Sequence, residues 1–202
     1  MARKCRLGMA STDDIAKVAA LIPSRGDDPV FVGIDGVDGA GKTTFGDALA
    51  DAVARPVVRI SVDDFHHVAE VRYDRGRDSA NGFWLDAFDY ERLIADVFRP
   101  LRESRRYREA AHDLASDQPL DPPWLTAPPG AVAIVDGLFL QRTELAGQFD
   151  LVVYLDVPFE VAATRLHARD GERSLDRYVG ASLIYFAECD PLRRADVVID
   201  NH

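Results

Sequence analysis

A glycine-rich segment that ends in a lysine and a threonine has the clearest chemistry in this sequence. Residues 36–43 read Gly-Val-Asp-Gly-Ala-Gly-Lys-Thr and fill every fixed position of the G-x-x-x-x-G-K-[ST] motif. Its glycines allow successive backbone N–H groups to converge on an anion. Lys42 would neutralise the β- and γ-phosphates of a nucleoside triphosphate, and the Thr43 hydroxyl would ligate Mg²⁺. The predicted phosphate-binding residues are Gly36, Val37, Asp38, Gly39, Ala40, Gly41, Lys42, Thr43 and Thr44.

The sequence on either side of this loop has the pattern that such a motif requires. Residues 29–35 form a short β-branched apolar run, which predicts a buried strand. Phe45, Leu49 and Val53 recur every four residues and predict one apolar face of a helix. The N-terminus of that helix would add partial positive charge where the β-phosphate lies.

Acidic residues follow two other predicted strands. Asp63 comes after the run 56–62, and Asp136 comes after the run 131–135. In open α/β sheets, ligands bind at the carboxyl ends of the strands. We therefore expect these two carboxylates to lie beside the loop, where a Mg²⁺ ion and an acceptor hydroxyl need partners.

The elements that must position these residues predict an α/β fold. The strand candidates are 30–35, 56–62, 131–135, 151–155 and 196–200. Several are continuously apolar, which is typical of a parallel sheet covered by helices on both faces. A first helix is predicted over 11–22, with Ser11 or Thr12 as its N-cap.

The interval 64–130 is different, because it is rich in Arg, Asp and Pro and has no core strand pattern. A helix is predicted over 90–99, capped by Asp89 and ended by Pro100, and residues 105–114 and 118–125 are predicted to pair as an exposed ribbon. A span this long between sheet strands is usually functional. We interpret it as an acceptor-binding insertion in a single domain.

Composition narrows the class of protein. The chain has 202 residues, of which 47% are hydrophobic, so it can bury one proper core. No segment is long and apolar enough to span a membrane, and Cys5 and Cys189 suit no disulfide or metal framework, which favours the reducing cytoplasm. The net charge of −10 argues against a nucleic-acid partner and favours local positive pockets in an acidic shell. A monomer and a homodimer both remain open.

The motifs of other nucleotide-binding classes are absent. Outside the glycine-rich loop itself we find no D-x-x-G element of GTPase switches, and we find neither their N-K-x-D element nor the signature of an ABC-type ATPase. The chain instead resembles the uridine kinase-like branch of P-loop small-molecule kinases, related to phosphoribulokinase and bacterial pantothenate kinase. The resemblance runs from about Phe31 to Asn201 and rests on residues 36–44, 61–65, 86–89, 136–139, 165–170 and 195–201.

This resemblance implies a P-loop three-layer sandwich whose five parallel strands are ordered 2-3-1-4-5. It also implies ATP and Mg²⁺ as cofactors, and transfer of the γ-phosphoryl group to a hydroxyl of a small metabolite. Asp63 matches the acid that accepts the hydroxyl proton and helps to hold Mg²⁺, and Asp136 matches an acid that supports Mg²⁺ together with Thr43. Such a carboxylate would orient the hydroxyl for in-line attack.

A lid is implied over 165–177. Arg165, Arg169 and Arg173 recur every four residues, so a helix would place them on one face. Under the resemblance this segment closes over the phosphates, and Arg169 is the best match to a catalytic arginine. We interpret Arg177 as part of a solvated helix.

The acceptor site is where the sequence departs from nucleoside-binding members. The acid that holds the ribose in those proteins is replaced here by Phe83, and two of their tyrosines are replaced by His66 and His112. By position, the residues predicted to contact the acceptor are His66, Phe83, Asp86 and His112. The ribose would then be held otherwise, by Asp74, Asp78 or Asp86, or the acceptor is another hydroxyl compound. A nucleoside such as uridine is the first candidate, and a sugar, a sugar phosphate or a pantothenate-like compound is the alternative. A nucleotide-binding regulator without phosphotransfer is the alternative from another class.

Overall fold

Six parallel strands form the central sheet, in the order β3-β8-β2-β9-β10-β1. The computed structural model describes residues 5–7, 11–171 and 175–201, and for 5–7, 169 and 170 it describes only the backbone. The strands are β1 (Cys5–Leu7), β2 (Val30–Gly36), β3 (Val57–Ser61), β4 (Arg106–Tyr107), β5 (His112–Asp113), β6 (Gln118–Pro119), β7 (Leu125–Thr126), β8 (Val132–Asp136), β9 (Leu151–Asp156) and β10 (Val197–Asp200). The five predicted strands are confirmed in the predicted order, and β1 adds an edge strand that was not predicted.

Helices cover both faces of this sheet. They are α1 (Thr12–Leu21), α2 (Lys42–Ala52), α3 (Ala69–Arg72), α4 (Ala80–Asp86), α5 (Tyr90–Leu93), α6 (Arg99–Ser104), α7 (Phe159–Asp170), α8 (Asp176–Cys189) and α9 (Pro191–Arg194). Short 3₁₀ turns lie at Val62–Phe65 and Thr143–Leu145. Within the described ranges, no helix is long and apolar enough to cross a membrane.

The alternation of side chains along β2 separates two hydrophobic cores. Val32 and Ile34 point into a core that also contains Phe45 and Leu49 of α2. Phe31 points to the opposite face, into a core that includes the aromatic side chains of the insertion. Because both faces are buried, β2 is apolar from Val30 to Ile34, as the sequence pattern predicted, and its one charged residue, Asp35, follows this run.

The first helix begins at the predicted cap. The hydroxyl oxygen of Ser11 accepts a hydrogen bond from the backbone N–H of Asp14 at 3.2 Å, and a carboxylate oxygen of Asp14 accepts one from the backbone N–H of Ser11 at 3.1 Å. This reciprocal pair is a capping box, which satisfies two backbone donors that the helix leaves open.

The insertion corrects one predicted boundary. Pro100 does not end the helix that begins after Asp89, because a π-helical turn at Ile94–Phe98 joins α5 to α6, which continues to Ser104. In this turn the N–H of Arg99 bonds to the carbonyl oxygen of Ile94, five residues back. The wider turn accommodates a proline that has no N–H to donate.

The predicted ribbon consists of two short antiparallel pairs. Strand β4 pairs with β7, and β5 pairs with β6. The expectation that the ribbon is exposed is wrong at Ala111 and His112, which are buried. This part of the ribbon is held against the 3₁₀ turn after β3, where the N–H of Ala111 bonds to the carbonyl oxygen of Asp64 at 2.9 Å.

The insertion also packs on the C-terminal part of the chain through α4 and α8. A Cβ atom at Gly180 of α8 would lie 2.6 Å from the Cβ of Ala80 in α4. Glycine therefore permits the close contact of these two helices. Their packing brings residues of the predicted lid next to the insertion.

Candidate active site

The glycine-rich loop forms a cradle between β2 and α2. Gly39 and Gly41 have φ angles of +78° and +86°, in the left-handed region that favours glycine. A Cβ at Gly39 would lie 2.6 Å from the carbonyl oxygen of Ala162. The Nζ atom of Lys42 donates to the carbonyl oxygen of Val37 at 2.9 Å, and this hydrogen bond holds the lysine side chain against the glycine-rich loop.

Thr43 and Asp136, which were both predicted to support Mg²⁺, lie next to each other. The Thr43 hydroxyl donates to Oδ2 of Asp136 at 2.9 Å. Asp136 ends β8 and is buried, whereas Asp63 follows β3 and is exposed. Among the described residues, no cluster of three or more His, Cys, Asp or Glu side chains could hold a metal. The Thr43 hydroxyl and the Asp136 carboxylate nevertheless suit Mg²⁺, because this ion is commonly bound by one or two carboxylates, with water and substrate phosphates completing its shell.

Arg59 is a residue of this site that the sequence analysis missed. Its Nη2 atom donates to Oδ1 of Asp136 at 2.8 Å, and its Nη1 atom donates to the carbonyl oxygen of Ile134 at 3.0 Å. The pairing of β3 with β8 places Arg59 opposite Ile134. No motif marks Arg59, because its contact with Asp136 depends on strand pairing.

Asp63 lies in the 3₁₀ turn that follows β3. The hydroxyl of Ser61 accepts from the backbone N–H of Asp63 at 3.3 Å, and the carbonyl oxygen of Asp63 lies 2.6 Å from Nδ1 of His66. Because a carbonyl only accepts, Nδ1 of His66 donates, and Nε2 of the neutral ring is left as an acceptor. Burial lowers the pKa of His66, which favours this neutral form. Burial and the charges of Asp63, Asp136 and Glu109 raise the pKa of Asp64.

Two cavities meet beside Lys42 and Asp63. The first, which we call the loop cavity, has a volume of about 250 Å³ and is lined by the glycine-rich loop, Thr43, Asp136 and Arg165. The second, which we call the aromatic cavity, has a volume of about 350 Å³. Asp38, Lys42 and Asp63 line both cavities. The site therefore joins a phosphate cradle to a pocket for a second molecule, with two carboxylates and one ammonium group between them.

A third cavity of about 340 Å³ lies on the other side of the loop and is lined by Thr44, Phe45, Arg165 and Asn201. The Nη2 atom of Arg165 donates to the carbonyl oxygen of Asn201 at 2.9 Å, and Nδ2 of Asn201 donates to the carbonyl oxygen of Ala40 at 2.8 Å. Arg165 thus lines both this cavity and the loop cavity, and its role in a lid stays a prediction. The side chain of Arg169 and all of Arg173 lie outside the described residues.

The four residues predicted to contact the acceptor have different surroundings. His66 and Phe83 line the aromatic cavity. Asp86 is outside the described lining, and its carboxylate accepts from Nε of Arg75 at 2.8 Å. His112 is buried behind the cavity, where its Nε2 atom lies 3.1 Å from Oδ1 of Asp117. His66 and Phe83 therefore line the cavity, Asp86 and His112 are not part of its described lining, and acceptor contact stays a prediction.

Two arginines in the aromatic cavity were not predicted to act there. Arg72 and Arg177 line it together with aromatic residues from α4 and α8. The interpretation of Arg177 as a solvated helix residue is wrong, because its guanidinium lies over the rings of Phe83 and Tyr178 and its Nη1 atom donates to the carbonyl oxygen of Arg77. The two arginines are far apart in sequence, so no local spacing could have identified them as a pair.

A buried carboxylate lies just before the loop. Asp35 of β2 accepts hydrogen bonds from the N–H of Gly36, from Nε2 of Gln141 and from the hydroxyl of Tyr185. Burial raises the pKa of Asp35, and these donors oppose that shift by stabilising its charged form. The network ties the strand that enters the loop to α8.

Comparison with known proteins agrees with this geometry. The sequence profile of the Phosphoribulokinase / Uridine kinase family matches residues 31–177. A uridine kinase of Latilactobacillus sakei is 26% identical over 75% of this chain and 72% of its own length. An inorganic pyrophosphatase, TTM2, of Arabidopsis thaliana is 23% identical over 69% of this chain, and the match covers 19% of the length of that protein. A solved structure titled a possible uridine kinase from Bacillus stearothermophilus matches with a TM-score of 0.76 at 28% identity, over 94% of this chain and 97% of the other.

Proposed function

The chain belongs to the phosphoribulokinase / uridine kinase family, and from this premise we propose that it transfers the γ-phosphoryl group of ATP to a hydroxyl of a small metabolite, with Mg²⁺. Membership of this family itself implies a P-loop phosphotransferase that acts on a small hydroxyl compound. The observation that carries the proposed transfer from ATP to the hydroxyl is that Asp38, Lys42 and Asp63 line both the loop cavity and the aromatic cavity. This is where a donor phosphate and an acceptor hydroxyl would meet.

The loop cavity suits the triphosphate of ATP. Backbone N–H groups of the loop and the N-terminus of α2 supply partial positive charge, and Lys42 supplies a full charge. Thr43 and Asp136 would hold Mg²⁺, which supplies charge neutralisation at the phosphates when it is bound. Arg165 adds a cation at the edge of this cavity, and the neighbouring cavity beside Asn201 is large enough for a base.

Asp63 is the residue that we assign to the acceptor hydroxyl. Its carboxylate would orient the hydroxyl and accept its proton while the acceptor oxygen forms a bond to the γ-phosphorus. The bond from that phosphorus to the oxygen shared with the β-phosphate breaks, and ADP leaves with that electron pair. Positioning and charge neutralisation account for most of the rate in such transfers.

The aromatic cavity argues against the ribose of a nucleoside as its first ligand. The sequence offered Asp74, Asp78 or Asp86 as substitutes for the missing acid, and none of the three is in the described lining. Phe83 is packed edge-on against Phe88, Phe139 and Tyr178 and offers no acceptor for a diol. A non-nucleoside acceptor is therefore favoured, and uridine remains in the panel as the alternative.

ADP release from ATP–Mg²⁺ by the full chain tests this function. We expect one class of hydroxyl compound to stimulate release, and Lys42→Ala serves as the blank. Asp63→Asn should lower kcat by at least about 100-fold while it leaves ATP binding intact, because general base residues contribute roughly 10²–10⁴-fold. Full activity of Asp63→Asn would remove Asp63 from the mechanism. Tight ATP binding without stimulated turnover by any acceptor would favour a nucleotide-binding regulator instead.

A further inference from the structure

Three arginines surround one tyrosine at the edge of the aromatic cavity. The guanidinium carbons of Arg72, Arg77 and Arg177 lie 5.1, 4.4 and 5.2 Å from the ring centroid of Tyr73. Arg72 is the last residue of α3 and Tyr73 follows it, whereas Arg177 belongs to α8. Tertiary packing has thus gathered three positive charges around a single ring, and two of them, Arg72 and Arg177, line the cavity.

Direct ion pairs with these arginines are few among the described residues, although the carboxylates of Asp38 and Asp63 also line the cavity. Within the described part of the chain, Asp117 is the one carboxylate that pairs with any of the three, through Nη2 of Arg72 at 3.0 Å. Arg177 bonds to the neutral carbonyl oxygen of Arg77. Like charges this close repel one another, and burial strengthens that repulsion because it removes the screening of water. The cluster therefore favours a further anion.

The two arginines that line the cavity also have unused hydrogen-bond donors. Arg72 is 8% exposed, and its Nε atom is buried without a hydrogen-bond partner. The Nε atom of Arg177 is likewise buried without a partner. An unpaired buried donor on a charged group is costly, and the remaining guanidinium donors of the two residues can face the cavity that these residues line. Guanidinium groups match carboxylate and phosphate geometry with two parallel N–H donors.

We propose that the acceptor carries an anionic group, a phosphate or a carboxylate, which Arg72 and Arg177 bind in the aromatic cavity. The proposal rests on the proposed function, because it names the chemical class of the acceptor at the same site. Asp63 lines the same cavity and takes the reacting hydroxyl, while the two arginines take the anionic group. The rings of Tyr73, Phe83 and Tyr178 form the wall of the cavity between these groups.

Asp117 and His112 act as positioning residues behind Arg72. Asp117 accepts from the backbone N–H of Ala69, from Arg72 and from His112, so it fixes the guanidinium at the cavity wall. This gives His112 a role other than the one predicted from sequence. It supports an arginine and does not contact the acceptor.

Matched pairs of neutral and anionic acceptors test the proposal. Pantothenol and pantothenate share the same pantoyl hydroxyl groups and differ in a hydroxymethyl or a carboxylate group, and ribose and ribose 5-phosphate differ in a phosphate. We expect the anionic member of at least one pair to give a kcat/KM about 100-fold higher than its neutral partner, because the site would leave its charged donors unpaired with the neutral one. Equal kcat/KM values within each active pair would overturn the proposal and leave the kinase function standing.

Arginine variants then assign the effect to this cluster. Arg72→Met and Arg177→Met should each raise KM for the active anionic acceptor by at least about tenfold, the loss expected for one charge-assisted contact, and should leave KM for ATP within about threefold. Arg193→Met is the matched control, since this arginine of α9 has a 79% exposed side chain and lies outside both cavities. Unchanged acceptor KM values in both cavity variants would refute the assignment.

A binding measurement keeps the proposal testable without the true acceptor. With the loop cavity filled by a non-hydrolysable ATP analogue and Mg²⁺, calorimetric titration of inorganic phosphate should detect a second site in the wild-type chain. Arg177→Met should weaken that binding at least about tenfold, and Arg193→Met should not change it. Failure of every acceptor to stimulate ADP release would count against the kinase function, whereas absence of arginine-dependent phosphate binding would count against this inference.

Discussion

Replacing Arg59 by methionine should lower the free energy of unfolding by about 2–3 kcal/mol, because it leaves the Asp136 carboxylate without its cationic partner. Methionine keeps most of the aliphatic stem and removes only the guanidinium. In the native protein, Oδ1 of Asp136 accepts from Arg59 at 2.8 Å and Oδ2 accepts from Thr43 at 2.9 Å. After the substitution, a neutral hydroxyl would be the remaining partner of this carboxylate.

The magnitude follows from the burial of the two partners. The side chain of Asp136 is 5% exposed, so water cannot easily replace the lost donor. Removal of one partner from a fully buried ion pair costs about 3–5 kcal/mol. The side chain of Arg59 is 26% exposed, so water already screens part of its charge, and we place the expected cost below that range.

Urea denaturation provides the assay. For a domain of this size we expect an m-value of about 2–3 kcal/mol/M, so the midpoint of Arg59→Met should fall by about 1 M urea. Asp47→Asn is the matched control, because Arg59 also contacts Asp47 at 3.1 Å and that carboxylate is 65% exposed. An exposed pair is worth at most about 1 kcal/mol, so the control should change stability by less than about 0.5 kcal/mol.

Nucleotide should reduce the effect of this substitution. Mg²⁺ bound near Thr43 and Asp136 would replace the positive charge that Arg59→Met removes. We therefore expect a smaller loss of stability when Mg²⁺ and a non-hydrolysable ATP analogue are present at equal concentrations for both proteins. A loss below about 0.5 kcal/mol without nucleotide, or one no larger than that of Asp47→Asn, would refute the argument that Arg59 compensates a buried charge.

Three further substitutions test other parts of the structure. Ser11→Ala should destabilise the chain by about 1 kcal/mol in thermal or urea unfolding, because it removes the capping box of α1. Gly39→Ala should weaken ATP binding at least about tenfold in calorimetric titration, because its Cβ would approach Ala162 and the φ of +78° disfavours alanine. Tyr185→Phe removes a donor that stabilises charged Asp35, whose pKa is already raised by burial. Because the native pKa of Asp35 is raised, the folded protein loses stability as the pH rises through that pKa. Tyr185→Phe should therefore lower the free energy of unfolding by about 1–3 kcal/mol, and by more at pH 8 than at pH 4.5. An equal loss at the two pH values would contradict this pH dependence.

The parts of the fold that depend on local sequence were predictable. Strands β2 and β8 are buried on both faces and are apolar over residues 30–34 and 132–135, so these runs were recognisable. The edge strand β1 has three residues with Arg6 at its centre, and such a segment has no apolar pattern that distinguishes it from a loop. The π turn before Pro100 was missed because proline normally ends a helix, and the wider turn that prevents this leaves no mark in the sequence.

The candidate site likewise has one part that local sequence could predict and another part that it could not. The phosphate cradle is contiguous in sequence, because one strand–loop–helix unit fixes its geometry, and its residues were therefore identified by spacing alone. Arg59, Arg72 and Arg177 act through contacts between elements that are distant in the chain. Arg72 and Arg177 each precede a tyrosine, but an Arg-Tyr dipeptide does not by itself predict a binding site. The two arginines line one cavity only because α3 and α8 lie near each other in the fold.

The net charge of the chain also bears on the choice of acceptor. A charge of −10 gives a long-range field that repels anions, so steering cannot raise the association rate of an anionic acceptor. At physiological salt this field is screened within about 8 Å, so an anion inside the aromatic cavity interacts mainly with the groups that line it. Arg72 and Arg177 are such groups, and their contacts would act on the dissociation rate. Nucleic acid needs an extended basic surface. The acidic composition therefore argues against a nucleic-acid partner and is fully compatible with a small anion held by a few buried arginines.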